Sequence, residues 1–146
     1  MGEEENNMRK IIDVPYIDQS VSYPTGCESV SATMLLQYLG YEITVDEFIR
    51  NYVPCVPMQE RDGQLYGPDP RKAFCGSPYD ADSFGCYAPV ICEALQKAVG
   101  DQYTVADETG TSMQELIERY IDRDMPVVFW ACIDMKQEII GPQWKL

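Results

Sequence analysis

A cysteine and a glutamine, eight residues apart, carry the chemistry that this sequence could support. Cys27 follows the turn-forming run 24–26 and opens a long amphipathic segment. At the first turn of a helix, unpaired amides and the macrodipole stabilise a thiolate, so Cys27 is a candidate nucleophile. Its backbone N–H could face an oxyanion formed by attack on a carbonyl, with the Gln19 side-chain amide as a second donor. Gly26 would let the backbone approach a substrate.

Position alone leaves a plainer interpretation open for each of these residues. Cys27 could be a buried structural thiol of a core helix, and Gln19 an ordinary loop residue. A cysteine nucleophile also needs a base, and the chain contains no histidine. The nearby carboxylates of Asp18, Glu28 and Asp46 are too weak as bases for a thiol near pH 7 if they are exposed. The residues around Cys27 therefore predict a reactive thiol without efficient turnover.

Composition limits the partners and cofactors. The 146 residues suffice for one domain with a core, and the net charge is −13. This acidity disfavours nucleic acid and anionic membranes as partners, because both require clustered Lys and Arg. No window reaches the roughly 18 to 20 consecutive apolar residues of a membrane span. The six cysteines form no C-x-x-C pair, so we predict no metal, no cofactor, and mostly reduced thiols used as core groups.

Hydrophobic periodicity and capping residues predict the elements that position these side chains. An extended segment or short strand over 11–19 leads into the Cys27 helix, which a glycine ends. The second helix begins at a capping box formed by Thr44 and Glu47. The density of Pro, Gly, Asp and Tyr over 54–85 predicts one long irregular excursion.

Further elements are predicted in the second half of the chain. A helix over 86–100 and a helix capped by Ser112 flank a short strand over 103–109. The apolar run 126–135 is typical of a central strand buried on both faces. A lone central strand leaves its edges open, so this run also predicts a homo-oligomer formed by strand pairing. The residues expected to face the core are Ile117, Tyr120, Ile121, Phe129 and Trp130.

Two longer runs carry a resemblance to a known family. The run VPYIDQSVSYPTGCESVSATMLLQYLGYEITVDEF resembles the bacteriocin-processing (double-glycine leader) peptidase-like group of papain-like cysteine peptidases. The run GQLYGPDPRKAFCGSPYDADSFGCYAPVI is similar to bacterial members of that group, and the resemblance extends over 11–144. It implies an α+β, papain-like fold, with a helical lobe against an incomplete antiparallel sheet. It also implies that Cys27 is the nucleophile and Gln19 the oxyanion-hole residue.

The chain departs from that group at two points. In such enzymes a later strand supplies the histidine, and an Asp or Asn orients it. We expect that segment beyond Leu146, so that 1–10 form a polar tail and 11–146 a domain truncated before the His and Asp strands. The second departure is Glu28, because relatives often have Gly directly after the cysteine.

These observations lead to two functional hypotheses of different classes. The first is a fragment or degenerate member of a papain-like cysteine peptidase family, inactive or weakly active, with a peptide or protein substrate. The second is a non-catalytic peptide-binding or interaction module. Gly26 and Tyr66 are candidate substrate-binding residues, although the stretch around Tyr66 could equally be a packed surface loop. The chain as written indicates a cytoplasmic protein, or a secreted or cell-surface protein if a signal peptide has been removed.

Overall fold

A computed structural model describes residues 10–146, so most of the predicted tail over 1–10 lies outside the described residues. Two helices, four short strands and two further helices follow one another along the chain, so helices and strands are segregated and the α+β class is confirmed. In chain order the elements are α1 (Cys27–Tyr38), α2 (Val45–Tyr52), β1 (Cys55–Val56), β2 (Gln59–Arg61), β3 (Gln64–Tyr66), β4 (Phe74–Cys75), α3 (Ala88–Val99) and α4 (Met113–Arg119), with short 3-10 helices at Ile121–Arg123 and Ile133–Met135.

The core lies where α1, α2 and α3 pack against one another. Each helix contributes buried apolar side chains from one face, and full burial of one such side chain stabilises the fold by about 1.5–3 kcal/mol. This packing holds the first turn of α1, and with it Cys27, against the rest of the protein. The principal core residues are Ala32, Leu36, Phe48, Val53, Phe74, Val90, Ile91, Ala94 and Leu95.

The predicted signals at the helix ends are confirmed. The Thr44 hydroxyl accepts a hydrogen bond from the Glu47 amide at 3.1 Å, and the Glu47 carboxylate accepts one from the Thr44 amide at 2.9 Å. This reciprocal pair satisfies two amides that α2 itself cannot. Gly40, just past the end of α1, has φ +96°, a conformation that favours glycine. Ser112 accepts from the Glu115 amide and begins α4.

The excursion over 54–85 is more ordered than predicted. Strands β2 and β3 form an antiparallel hairpin, while β1 and β4 pair in parallel. The hairpin turns at Asp62 and Gly63, which have φ +52° and +75°. An Asp-Gly pair with positive φ at both positions matches the twist of two antiparallel strands. The prediction of one irregular loop missed this turn signal because the flanking strands are only three residues long.

The strands predicted over 103–109 and 126–135 are wrong, and of the two alternatives for 11–19 the strand is excluded. Residues 11–19, 103–109 and 126–135 belong to no strand. A strand needs a hydrogen-bonded neighbour, and in the described part of the chain none of these segments is paired in a ladder. Apolar patterning identifies residues that can be buried, but the partner that would make a strand must come from elsewhere in the fold. Because 126–135 form no strand, they present no open strand edge, and that edge was the basis for predicting a homo-oligomer.

The C-terminal third is less buried than predicted. Helix α4 has no buried residue, with Ile117 exposed and Tyr120 and Ile121 half-buried. Phe129 and Trp130 are 59% and 38% exposed, so the prediction that they lie in the core is wrong. Both side chains line a groove beside α1 and α3 and do not pack fully against these helices. Over residues 10–146, no helix combines the length and hydropathy that a bilayer crossing demands.

Candidate active site

Cys27 is the first residue of α1, as predicted, and the residue is exposed while its sulfur is partly covered. Gly26 occupies the N-cap position, and no side chain caps the helix there. The amides of the first turn therefore have neither an intrahelical acceptor nor a capping oxygen, which is the arrangement that can bind an anion. Gly26 itself is buried, and a Cβ at this position would lie 2.9 Å from the Cβ of Tyr23. Packing alone thus requires glycine here, whatever its part in substrate binding.

The loop before α1 connects Gln19 to the helix start through one carbonyl. The backbone oxygen of Tyr23 accepts from the Gln19 side-chain amide at 3.2 Å and from the Gly26 amide at 3.0 Å. The Tyr23 amide in turn donates to the Gln19 carbonyl at 2.9 Å. Gln19 is half-buried, and its Nε2 has a second hydrogen beyond the one given to Tyr23. The two predicted catalytic residues therefore lie at the two ends of one hydrogen-bonded turn.

Neighbouring elements hold this turn in place. The Tyr23 hydroxyl donates to Asp46 on α2 at 2.9 Å, and Tyr79 donates to the same carboxylate oxygen at 2.8 Å. The Thr25 hydroxyl lies within hydrogen-bond distance of the backbone oxygens of Ser77 (3.1 Å) and Asp80 (2.8 Å). The excursion after β4 thus fixes the turn from one side and α2 from the other.

Glu28 is the residue in contact with the Cys27 thiol. The Cys27 Sγ donates to Glu28 Oε1 at 3.5 Å, and the Cys86 amide donates to Glu28 Oε2 at 3.1 Å. Glu28 is buried, with 9% of its surface exposed. Its carboxylate fits only because Gly85 lacks a side chain: a Cβ there would lie 2.5 Å from Glu28 Oε2. Because Glu28 is buried, the weakness of an exposed carboxylate as a base does not apply to it.

The electrostatics of the site oppose thiolate formation. Partial burial of the sulfur raises the pKa of Cys27, and the adjacent Glu28 carboxylate raises it further, while backbone amides of the first turn lower it. Burial likewise raises the pKa of Glu28. The expectation that the helix start alone would lower the pKa of Cys27 is therefore wrong. Shielding from water and a neighbouring negative charge both penalise a second anion, and together they outweigh the helix amides.

The other carboxylates considered as bases have different partners. Asp18 accepts from the Ser20 amide at 2.9 Å, which holds its pKa below the ordinary value. The hydroxyls of Tyr79 and Tyr23 do the same for Asp46. A carboxylate with a lowered pKa is a poorer base, so neither group is suited to accept a thiol proton.

The remaining predicted substrate residue lies on the hairpin. Tyr66 is half-buried on β3, pairs with Gln59 across the hairpin and has the Arg61 guanidinium 4.5 Å from its ring centroid. Its neighbours are thus those of a packed hairpin surface. A groove runs between α3, the segment 103–113 and the segment 125–130, and neither Cys27 nor Tyr66 lines it.

Sequence reasoning missed the part that Gly85 and Cys86 have in this site. They lie 57 and 58 positions from Glu28, and the carbonyl of Cys86 accepts from the Trp130 indole at 3.0 Å. A glycine in the segment that leads into a helix signals a close approach of other atoms, but it does not name them. Of the six free cysteines, Cys75 and Cys86 are buried, so the predicted core use of thiols applies to these two.

Within residues 10–146, no three or more His, Cys, Asp or Glu side chains are grouped as metal ligands would be.

Comparison with known proteins relates this arrangement to a family. Residues 11–141 match the model of the Peptidase_C39 like family. The chain is 32% identical over 102 residues to the uncharacterised protein YvpB of Bacillus subtilis (strain 168), covering 70% of this chain and 38% of that protein. It is also similar to the crystal structure of a Bacillus anthracis protein assigned as a C39-like peptidase, with a TM-score of 0.60 and 25% identity over 75% of this chain. The match spans 52% of that structure. The chain therefore belongs to the C39-like peptidase family.

Proposed function

We propose that this chain carries the nucleophile-bearing part of a papain-like thiol peptidase, related to the bacteriocin-processing group, that acts on peptide or amide bonds. The observation that carries the proposal is the position of Cys27 at the uncapped start of α1, joined to Gln19 by one hydrogen-bonded turn. Family membership supports the same assignment, since the match to the family model includes both residues.

The chemistry assigned to these residues is acyl transfer. The Cys27 sulfur attacks a carbonyl carbon, and the resulting oxyanion accepts from the Cys27 amide and from the second N–H of Gln19. Collapse of the oxyanion breaks the C–N bond, the thiol proton passes by way of a base to the leaving amine, and water then hydrolyses the thioester to release the acid and restore the thiol. The 146 residues contain no histidine, so we propose that an imidazole from outside them acts as that base. Without it, we expect only slow covalent chemistry at Cys27.

A rescue experiment tests this function directly. The purified chain is incubated with a peptide anilide library, with and without imidazole, and release of the aniline is followed. We expect imidazole to accelerate release, Cys27→Ser to abolish the acceleration, and Gln19→Ala to reduce it by about 10²–10³ through loss of one oxyanion donor. Cys132→Ser is the matched control, because Cys132 is also exposed but lies outside α1. Equal release by the wild-type and Cys27→Ser proteins would refute the proposal.

A second candidate function is a peptide-binding module that does not cleave. The raised pKa of Cys27 favours it, because a protonated thiol is a weak nucleophile. Calorimetric titration of the Cys27→Ser protein with the same peptides separates the two functions. Binding without imidazole-dependent release in the wild-type protein would establish the module, and release would exclude it.

A further inference from the structure

One buried carboxylate lies between two cysteines of distant segments. Glu28 Oε1 accepts from the Cys27 thiol at 3.5 Å, and Oε2 accepts from the Cys86 amide at 3.1 Å. The first distance is ordinary for a hydrogen bond from sulfur, so the thiol proton points at the carboxylate. The second bond and the missing side chain of Gly85 fix the carboxylate in this direction.

The surroundings of this pair hold no compensating positive charge. The titratable groups that act on the Glu28 carboxylate or on its Cys86 partner are thiols: Cys27 on α1, Cys86 before α3, Cys55 on β1 and Cys75 on β4. Among residues 10–146, no Lys or Arg contributes to the pKa of Glu28 or Cys27. A thiolate at Cys27 would thus stand beside a second anion with only backbone amides to stabilise it.

We propose that Glu28 is a positioning residue that holds Cys27 in its protonated, unreactive form and aims its proton away from the first-turn amides. This inference deepens the proposed function, since it rests on Cys27 as the nucleophile. The reactivity of Cys27 then depends on another group. That group must either neutralise the charge of the Glu28 carboxylate or remove the thiol proton that Cys27 donates to it. A cationic imidazole would do the first, and a neutral imidazole the second.

The test is the pH dependence of alkylation at Cys27 by iodoacetamide, with each cysteine quantified by peptide mass. Glu28→Gln keeps an acceptor for the Cys86 amide and removes the charge. We expect the kinetic pKa of Cys27 to fall and its rate at pH 7 to rise by at least about threefold. A fall of one pKa unit gives about tenfold more thiolate, and the lower basicity of that thiolate cancels part of the gain. Glu93→Gln, on the exposed face of α3, is the matched control and should leave the profile unchanged.

Each outcome decides the proposal. A Glu28→Gln profile that overlays the wild-type profile, or moves to higher pH, would overturn it. If Glu28→Gln does not fold, the wild-type protein still provides a test: its Cys27 should titrate above the ordinary thiol value of about 8.5, and a lower value refutes the inference. A shifted alkylation profile without imidazole-dependent release would support the role of Glu28 and refute the peptidase function. Imidazole-dependent release with an unshifted profile would support the peptidase function and refute the role of Glu28.

Discussion

Replacing Gly85 by alanine should destabilise the protein through two separable effects. Gly85 has φ +102°, and a side chain in this region of backbone conformation costs about 1–3 kcal/mol. The new methyl group would also stand 2.5 Å from Glu28 Oε2, closer than any stable contact. The carboxylate must therefore leave the Cys86 amide, and loss of a hydrogen bond to a charged group costs about 1.5–3 kcal/mol. Together these effects lower the free energy of unfolding by about 2.5–6 kcal/mol.

Equilibrium unfolding in urea measures this loss, and thermal unfolding should show a Tm lower by roughly 5–24 °C for a chain of this size. Gly40→Ala is the matched control, since Gly40 has a similar φ of +96° with no atom within 4 Å of the added methyl group. The control should show the backbone cost alone, so the two variants should differ by about 1.5–3 kcal/mol.

Equal destabilisation by Gly85→Ala and Gly40→Ala would refute the reasoning, because the Glu28 contact would then contribute nothing. Gly85→Ala could lower the free energy of unfolding more than Gly40→Ala and still leave the alkylation rate of Cys27 unchanged. The position of the Glu28 carboxylate would then affect stability but not the reactivity of the thiol. The structure predicts both changes together, since the displaced carboxylate is the one that receives the thiol proton.

Two further predictions concern α2. Because the Tyr79 and Tyr23 hydroxyls hold the pKa of Asp46 below its ordinary 3.8, this carboxylate stabilises the fold above that pH and loses its effect as the pH falls through the lower folded value. Asp46→Asn should therefore be less stable than wild type at pH 7 in urea unfolding, with the difference vanishing in acid; a pH-independent difference would contradict this. Thr44→Ala should lose about 0.5–2 kcal/mol by removing the N-cap oxygen from the Glu47 amide, while Thr44→Ser should keep most of it. Equal loss in both Thr44 variants would show that the cap oxygen is not the cause.

Features defined by neighbours in the chain could be predicted well. The start of α1 at Cys27 and the glycine after its end follow from residues within one turn of each other. The same holds for the capping box of α2. Such signals are local because a helix satisfies its own backbone within four residues, so its ends depend on the side chains beside them.

Strands could not be predicted in the same way. The run 126–135 has the apolar character of a buried strand, yet it forms no ladder, and Trp130 instead donates to the carbonyl of Cys86. A strand exists only with its partner, and the partner is a property of the whole fold.

By itself, the sequence determined that a cysteine begins a helix, that Gln19 lies in the loop before it, and that no histidine accompanies them. The pKa of that cysteine's thiol, in contrast, is set by the tertiary structure. Glu28 follows Cys27 directly in the chain, but it is buried and fixed by Gly85 and Cys86, which come from a distant segment. Burial and charge proximity set a pKa, and both arise from contacts that local sequence does not encode.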